Sequence, residues 1–367
     1  MRRIFGIALA ALLIGGVIAV VLVGQGDRGT ERTATKTVRG VIGSEKAEFF
    51  ADPDVVKALS AKGYTLKTET SGSWAMDKLP LDQYDFAFPS SSEPAREIEA
   101  KAKLQGAQTT RPFYSPLVVV ARASAAEVLA GNKLVTMTGK HTGTLLMGPY
   151  LKAAAEDRTW QQLPGSAADA ALSGTVFIRT TDPASSNSGA LFLAAASNVA
   201  NNAAVVSDDA GVDRTAPLLR KLIAVQGALA PSTDDPFRAF ISGAGDPLIL
   251  VYESQVAALL LQKQPADLDG VVVLYPDTTV NSAHTFVPLN DRAKDLGALL
   301  ASDPTLRQLA VKHGLRPQDG LAEFTAATAP HTDYLNQKLT GIRQVNTPTV
   351  KILMTLAARA KAQGDTP

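Results

Sequence analysis

The sequence predicts an α/β protein of two lobes, each a mostly parallel sheet flanked by helices, preceded by one N-terminal transmembrane helix. Three observations predict it. The chain has 367 residues, beyond the size at which one core keeps growing. From Val38 onward, strand-like apolar runs alternate with helical patterns. An unbroken apolar stretch occupies the start.

That stretch runs from Ile4 to Gly24 behind Arg2 and Arg3, and as a helix its roughly 21 residues match a hydrocarbon core of about 30 Å. The leading arginines favour a cytoplasmic N-terminus, which places the body outside. A cleaved signal sequence is the competing reading, although such apolar regions are usually shorter. Either way the body is extracytoplasmic. Residues 25–37 are polar and Gly- and Thr-rich and read as a flexible linker.

Beyond the linker, Val38 to Ile42 reads as a strand, and Asp52 caps a helix with Pro53 at its first position, closed by Gly63. Tyr64 to Glu69 and Tyr84 to Phe88 follow as strands. The apolar run Pro116 to Ala121 reads as a strand covered on both faces that carries the chain into a second lobe, and Val271 to Tyr275 as its counterpart returning to the first. Between them, Thr175 to Arg179 reads as a strand, Thr181 to Gly189 as a loop, Ala190 to Val199 as a helix and Leu248 to Val251 as a strand. The expected divisions are 38–121 and 271–317 for the first lobe, 122–270 for the second and 318–367 for a C-terminal helical extension. In that extension one helix is expected around Tyr334, Leu335, Leu339 and Ile342, and another around Val350, Leu353 and Leu356.

Composition narrows the function. Hydrophobic residues make up 46% and charged residues 19%, which is globular. Lys and Arg number 36 against 35 Asp and Glu, without a dense basic run, so no nucleic-acid partner is expected. The absence of cysteine rules out disulfides, thiol catalysis and a lipid on an N-terminal Cys. Gly139-Lys140 is followed by His141, with Leu134 where a phosphate loop needs its first Gly. His141, His284, His313 and His331 are far apart, and no G-x-S-x-G elbow occurs. No catalytic residue, metal or cofactor is assigned.

What remains is a set of hydroxyls and amides placed after strands: Ser44; Ser71, Gly72 and Ser73; Ser90 and Ser91; and Ser185, Ser186, Asn187 and Ser188. In an open α/β sheet, ligands bind outside the carboxyl ends of the strands. Turn and helix-start N–H groups together with hydroxyls can hold an anion without Lys or Arg. Tyr252, beside another strand end, is placed to wall such a site.

The segments IGSEKAEFF, TSGS, YDFAFPSSS, RPFYSPLVVVAR, LILVYESQ, LYPDTTVNSAHTFVPL and HGLRP occur in this order between Val38 and Pro317. In order and spacing they resemble the bacterial extracellular solute-binding proteins of the type II periplasmic-binding fold, in the branch that includes molybdate-binding relatives. The resemblance implies two lobes closing on a small polar ligand in an interlobe cleft. Ser44, Ser71 to Ser73 and Ser90 would come from the first lobe, and Ser185 to Ser188 and Tyr252 from the second. It also implies a partner permease of the ABC type, with a tetrahedral oxyanion as one candidate ligand. Glu45 and Glu253 flank these loops and would repel an anion unless they face away. A non-transport receptor or scaffold on the same fold is the alternative reading, and an extracytoplasmic hydrolase the third.

Overall fold

The computed structural model describes residues 35–104, 106, 108–262, 268 and 270–362. The expected membrane helix and most of the linker lie outside them. Among the described residues, no helix is long and apolar enough to cross a membrane.

The chain runs β1 (Lys36–Ile42), α1 (Ala47–Ala51), α2 (Pro53–Ala61), β2 (Tyr64–Thr70), β3 (Phe86–Phe88), α3 (Ser92–Lys101), β4 (Thr110–Ser115) and β5 (Leu117–Arg122). It continues with α4 (Ala123–Gly131), β6 (Val135–Met137), β7 (Thr142–Leu145), α5 (Met147–Ala155), α6 (Asn187–Ala200), α7 (Asp209–Ala224), α8 (Asp234–Ile241), β8 (Leu248–Tyr252) and α9 (Glu253–Leu261). The last part comprises β9 (Val271–Pro276), β10 (Thr278–Thr279), β11 (Ser282–Pro288), α10 (Leu296–Ser302), α11 (Pro304–Lys312), β12 (Arg316–Pro317), α12 (Leu321–Ala327), β13 (Arg343–Gln344) and α13 (Val350–Lys361).

Two compact units result. One takes the described chain up to Pro112 together with His284–Leu309, and the other takes Phe113–Ala283 and everything from Ala310 onward. The divisions expected from sequence therefore shift. The chain changes unit inside β4, inside β11 and inside α11, and the apolar runs β5 and β9 lie wholly within the second unit. Residues from 318 onward are no separate extension but part of that unit. Continuous apolarity reports burial on both faces, and it cannot distinguish a core strand from one that changes unit.

In the first unit, β1 lies between β2 and β3 and runs parallel to both, while β11 adds antiparallel to β3. Asp52 caps α2 as expected, its carboxylate accepting from the Asp54 N–H at 2.7 Å. One face of the sheet packs Val41, Ala87 and Val287 against Met76, Tyr84 and Ile98. On the other, Phe86 stacks on Phe286 with ring centroids 4.8 Å apart. Gly40 is required there, because a Cβ would stand 2.1 Å from the Phe86 ring.

The second unit holds a sheet of order β6-β7-β9-β5-β8. The expectation of a mostly parallel sheet fails here: β7 and β9 are parallel, but β5 is antiparallel to both β8 and β9, and β6 to β7. In the first unit the reversed strand, β11, is the one inside which the chain returns, and in the second the reversed strand, β5, directly follows β4, inside which the chain enters. Neither needs a helical crossover of the kind that parallel neighbours require. β12 pairs with Phe113 and Tyr114, the part of β4 that belongs to this unit.

Two further expectations are corrected. Thr175 to Arg179 forms no strand but bridges β8 at one residue, Arg179, whose N–H and C=O bond Leu248 and Leu250. Residues around Tyr334 to Ile342 form turns instead of a helix. There Arg316 takes the carbonyls of Asn336 and Gln337 at 3.0 and 2.6 Å, and Leu339 and Gly341 have φ of +52° and +79°. The second expected helix is present as α13, packed on α7 and α6 with Ile352, Leu353, Leu356, Ala357 and Ala360 buried.

Candidate functional site

In the first unit, Ile42 is in register with Thr70 on one side and Phe88 on the other, so three parallel strands end at one edge. The loops carrying Ser44, Ser71 to Ser73 and Ser90 to Ser91 all leave from that edge. Main-chain bonds tie them together, Gly43 N–H to the Phe88 carbonyl at 3.2 Å and Ser71 N–H to the Ile42 carbonyl at 3.0 Å. Ser44, Ser71 and Gly72 are partly exposed, whereas Ser73, Ser90 and Ser91 are buried. The Ser73 hydroxyl accepts from the Ser90 N–H at 3.0 Å and donates to the Ser90 hydroxyl at 3.3 Å.

Beneath these loops lies a charged group that sequence reasoning missed. Lys46 is fully buried, and its ammonium donates to the Glu45 carboxylate and, at 3.2 Å, to the Ser90 hydroxyl. It also lies 3.5 Å from Nδ1 of the fully buried His284. Ser90 in turn donates to Glu45 at 2.5 Å. Burial pushes the Glu45 carboxyl up, but the neighbouring Lys46 charge and these hydrogen bonds outweigh it and hold the pKa at about 2. Burial, reinforced by Lys46, takes the His284 ring down to about 3, so it is neutral at pH 7. The acid faces inward, and its charge is cancelled by a base that is equally out of contact with solvent.

In the second unit, the Ser185 and Ser186 N–H groups bond the Asp182 carbonyl at 3.2 and 2.8 Å, closing the turn that leads into α6. Asn187 and Ser188 are the first residues of that helix, which begins three positions earlier than the expected Ala190. Asn187 donates to the Tyr252 hydroxyl at 3.2 Å and to the Ser282 hydroxyl at 3.4 Å. The Ser188 hydroxyl shares hydrogen bonds with Thr181 at 2.8 Å and Ser186 at 3.3 Å. Ser186, Asn187, Ser188 and Tyr252 are buried and Ser185 is partly exposed. Gly189 permits the close turn, since a Cβ would stand 2.3 Å from the Thr181 carbonyl oxygen.

Glu253 also faces inward. Arg316 grips both its oxygens, at 2.5 and 2.8 Å, and Tyr275 donates to it at 2.5 Å, with all three side chains buried. The anion repulsion expected of Glu45 and Glu253 is therefore cancelled at both positions. Each set of predicted residues is brought together within its own unit: Ser44, Ser71, Gly72, Ser73, Ser90 and Ser91 in the first, and Ser185, Ser186, Asn187, Ser188 and Tyr252 in the second. Sequence reasoning missed Lys46, Thr181, Ser282 and His284. Lys46 and His284 meet across 238 positions of sequence, which no local pattern signals.

No family model matches the sequence, and no curated protein matches it. Solved structures do. The sulfate-binding protein SubI from Mycobacterium tuberculosis H37Rv aligns over 80% of this chain and 91% of its own, with a TM-score of 0.54 at 17% identity. A periplasmic thiamin binding protein aligns over 93% and 100%, with a TM-score of 0.57 at 12% identity. Apo ferric ion-binding protein A of Pasteurella haemolytica aligns over 89% and 96%, at 0.53 and 12%. The fold is thus that of the type II periplasmic solute-binding proteins, as the sequence resemblance implied.

Proposed function

We propose that this chain is an extracytoplasmic solute-binding protein that holds one small polar solute through hydroxyls and main-chain donors. The observation that carries the reading is the in-register ending of β1, β2 and β3, which gathers Ser44, Ser71 to Ser73 and Ser90 to Ser91 at one sheet edge. There the nearby charges of Glu45 and Lys46 cancel. A second neutral set, Ser186, Asn187, Ser188 and Tyr252, is gathered within the second unit. Neutral donors of this kind suit an oxyanion, each hydrogen bond to a charged group contributing roughly 1.5 to 3 kcal/mol. The likeness to a sulfate-binding protein supports that class of ligand. Tethering by residues 1–24, and delivery to an ABC-type permease, complete the proposal.

A thermal-shift panel of oxyanions, thiamin, sugars, amino acids and polyamines tests it. A true ligand at a hundred times its dissociation constant adds about 2.7 kcal/mol of stability. Silence across every class would overturn the reading. Ser71→Ala and Ser186→Ala are expected to abolish the ligand-induced shift and leave the unliganded melting point nearly unchanged. Neither side chain caps a helix: the Ser71 hydroxyl reaches the Gly72 carbonyl at 3.3 Å, and α6 has no side-chain cap bond. A large drop in the unliganded melting point would show them to be structural instead.

A further inference from the structure

The second unit's candidate ligand cluster is carried by three chain segments: the Asp182 turn before α6, the end of β8 with Glu253, and the stretch from β10 to Ser282. Each is held by the chain that follows β12. At the first, Lys361, the last residue of α13, donates to both carboxylate oxygens of Asp182 at 2.9 and 2.7 Å. The same Asp182 accepts the Ala184, Ser185 and Ser186 N–H groups, so it shapes the turn. At the second, the carbonyls of Asn336 and Gln337 accept from the Arg316 guanidinium that grips Glu253, and the Asn336 N–H donates to the Tyr275 hydroxyl at 3.0 Å. At the third, β13 pairs parallel with β10. The Arg343 N–H bonds the Asp277 carbonyl at 2.8 Å, the Val345 N–H bonds the Thr279 carbonyl at 2.9 Å, and the Arg343 guanidinium bonds the Thr278 hydroxyl at 3.2 Å.

These are the same three segments that supply the contacts of Asn187 with Tyr252 and Ser282. We infer that residues 336–361 form a strap that positions Asn187, Tyr252 and Ser282 for the solute, with Arg343 and Lys361 as positioning residues. The inference rests on the proposed solute-binding reading. General stabilisation by this segment has a separate source, the apolar face of α13 buried on α7. The polar ties differ in kind. The Lys361 and Asp182 side chains are 36% and 24% exposed, and an ion pair so exposed contributes little to global stability while still fixing a local geometry.

The test is amide hydrogen exchange on the full chain carrying Arg343→Ala with Lys361→Ala. Exchange is expected to rise about tenfold in residues 181–189, 252–255 and 278–283 and to stay at the wild-type rate in β7 and α5, with the melting temperature essentially unchanged. Arg343→Lys with Lys361→Arg is expected to restore wild-type exchange. Wild-type rates in all three segments of the alanine variant would overturn the strap. So would a uniform rise through the second unit with a lowered melting temperature, which would mark these residues as ordinary stabilisers. Sodium sulfate titration of the same proteins supplies a second readout, with about tenfold weaker binding expected in the alanine variant. Loosened segments in a protein whose wild-type form binds neither sulfate nor any other member of the panel would count against the proposed function and leave the strap standing.

Discussion

Two buried residues show how single side chains set the character of the candidate site. His284 sits neutral in the core, its pKa lowered from about 6.5 to about 3 by burial and Lys46. Between those values the unfolded chain binds the proton and the folded chain does not, so stability falls as pH drops through that window, by up to about 1.4 kcal/mol per pH unit. Glu45, held at about 2, adds its own loss only below its ordinary value of about 4.5. Urea unfolding at pH 7, 6 and 5 is expected to show a shallower decline for His284→Gln than for wild type, and equal declines would refute the assignment. Gly189→Ala belongs to the same scale. The added methyl meets the Thr181 carbonyl at 2.3 Å, so it displaces the start of α6 and is expected to weaken solute binding along with the melting point. Retained affinity would show that Asn187 and Ser188 tolerate the shift. The hydroxyl positions of the first unit were legible in sequence because turn residues after a strand have a known place, whereas Ser185 to Ser188 follow a segment that forms no strand. Lys46 was not, since a lysine in a charged tripeptide reads as solvated until His284 and Phe88 close over it, the Phe88 ring centroid 4.9 Å from the ammonium.

Among the elements, capping and termination were the most legible: Asp52 with Pro53 opens α2, and Gly63, at φ +85°, follows its end. The helix expected around Tyr334 failed for a reason no periodicity contains, because a distant arginine claims the carbonyls that a helix would have used. That arginine joins β12 to the start of α9 through Glu253. Removing one partner of a buried pair leaves the other uncompensated, at a cost of about 3 to 5 kcal/mol. Arg316→Met is therefore expected to destabilise by that amount in chemical denaturation, and adding Glu253→Gln to recover more than half of it. A double variant as unstable as the single one would show that Arg316 acts chiefly through the Asn336 and Gln337 carbonyls.

At the level of the whole molecule, the fold class was legible from alternation and length, while the division into units was not. Apolar strands mark a core without saying which core, and the pairing of β4 with β12 and of β3 with β11 shows that the chain changes unit inside β4 and β11. The role of the last fifty residues was likewise hidden, since amphipathic spacing shows that α13 needs a partner and not that the partner is α7. Ending the chain at Val345 is expected to uncover that surface. Ile352, Leu353 and Leu356 are buried, and each contributes about 1.5 to 3 kcal/mol. The shortened protein should therefore melt many degrees lower or precipitate, and an unchanged melting curve would make α13 dispensable.

The interleaving of the two units has a consequence for how the molecule is assembled. Ala87 waits for Val287, a partner roughly two hundred positions away in the chain, and Phe113 waits for Pro317. A polypeptide emerging N-terminus first can make neither pairing until its final quarter has begun to appear. For most of its synthesis this chain carries unpaired strand edges, which a chaperone must guard.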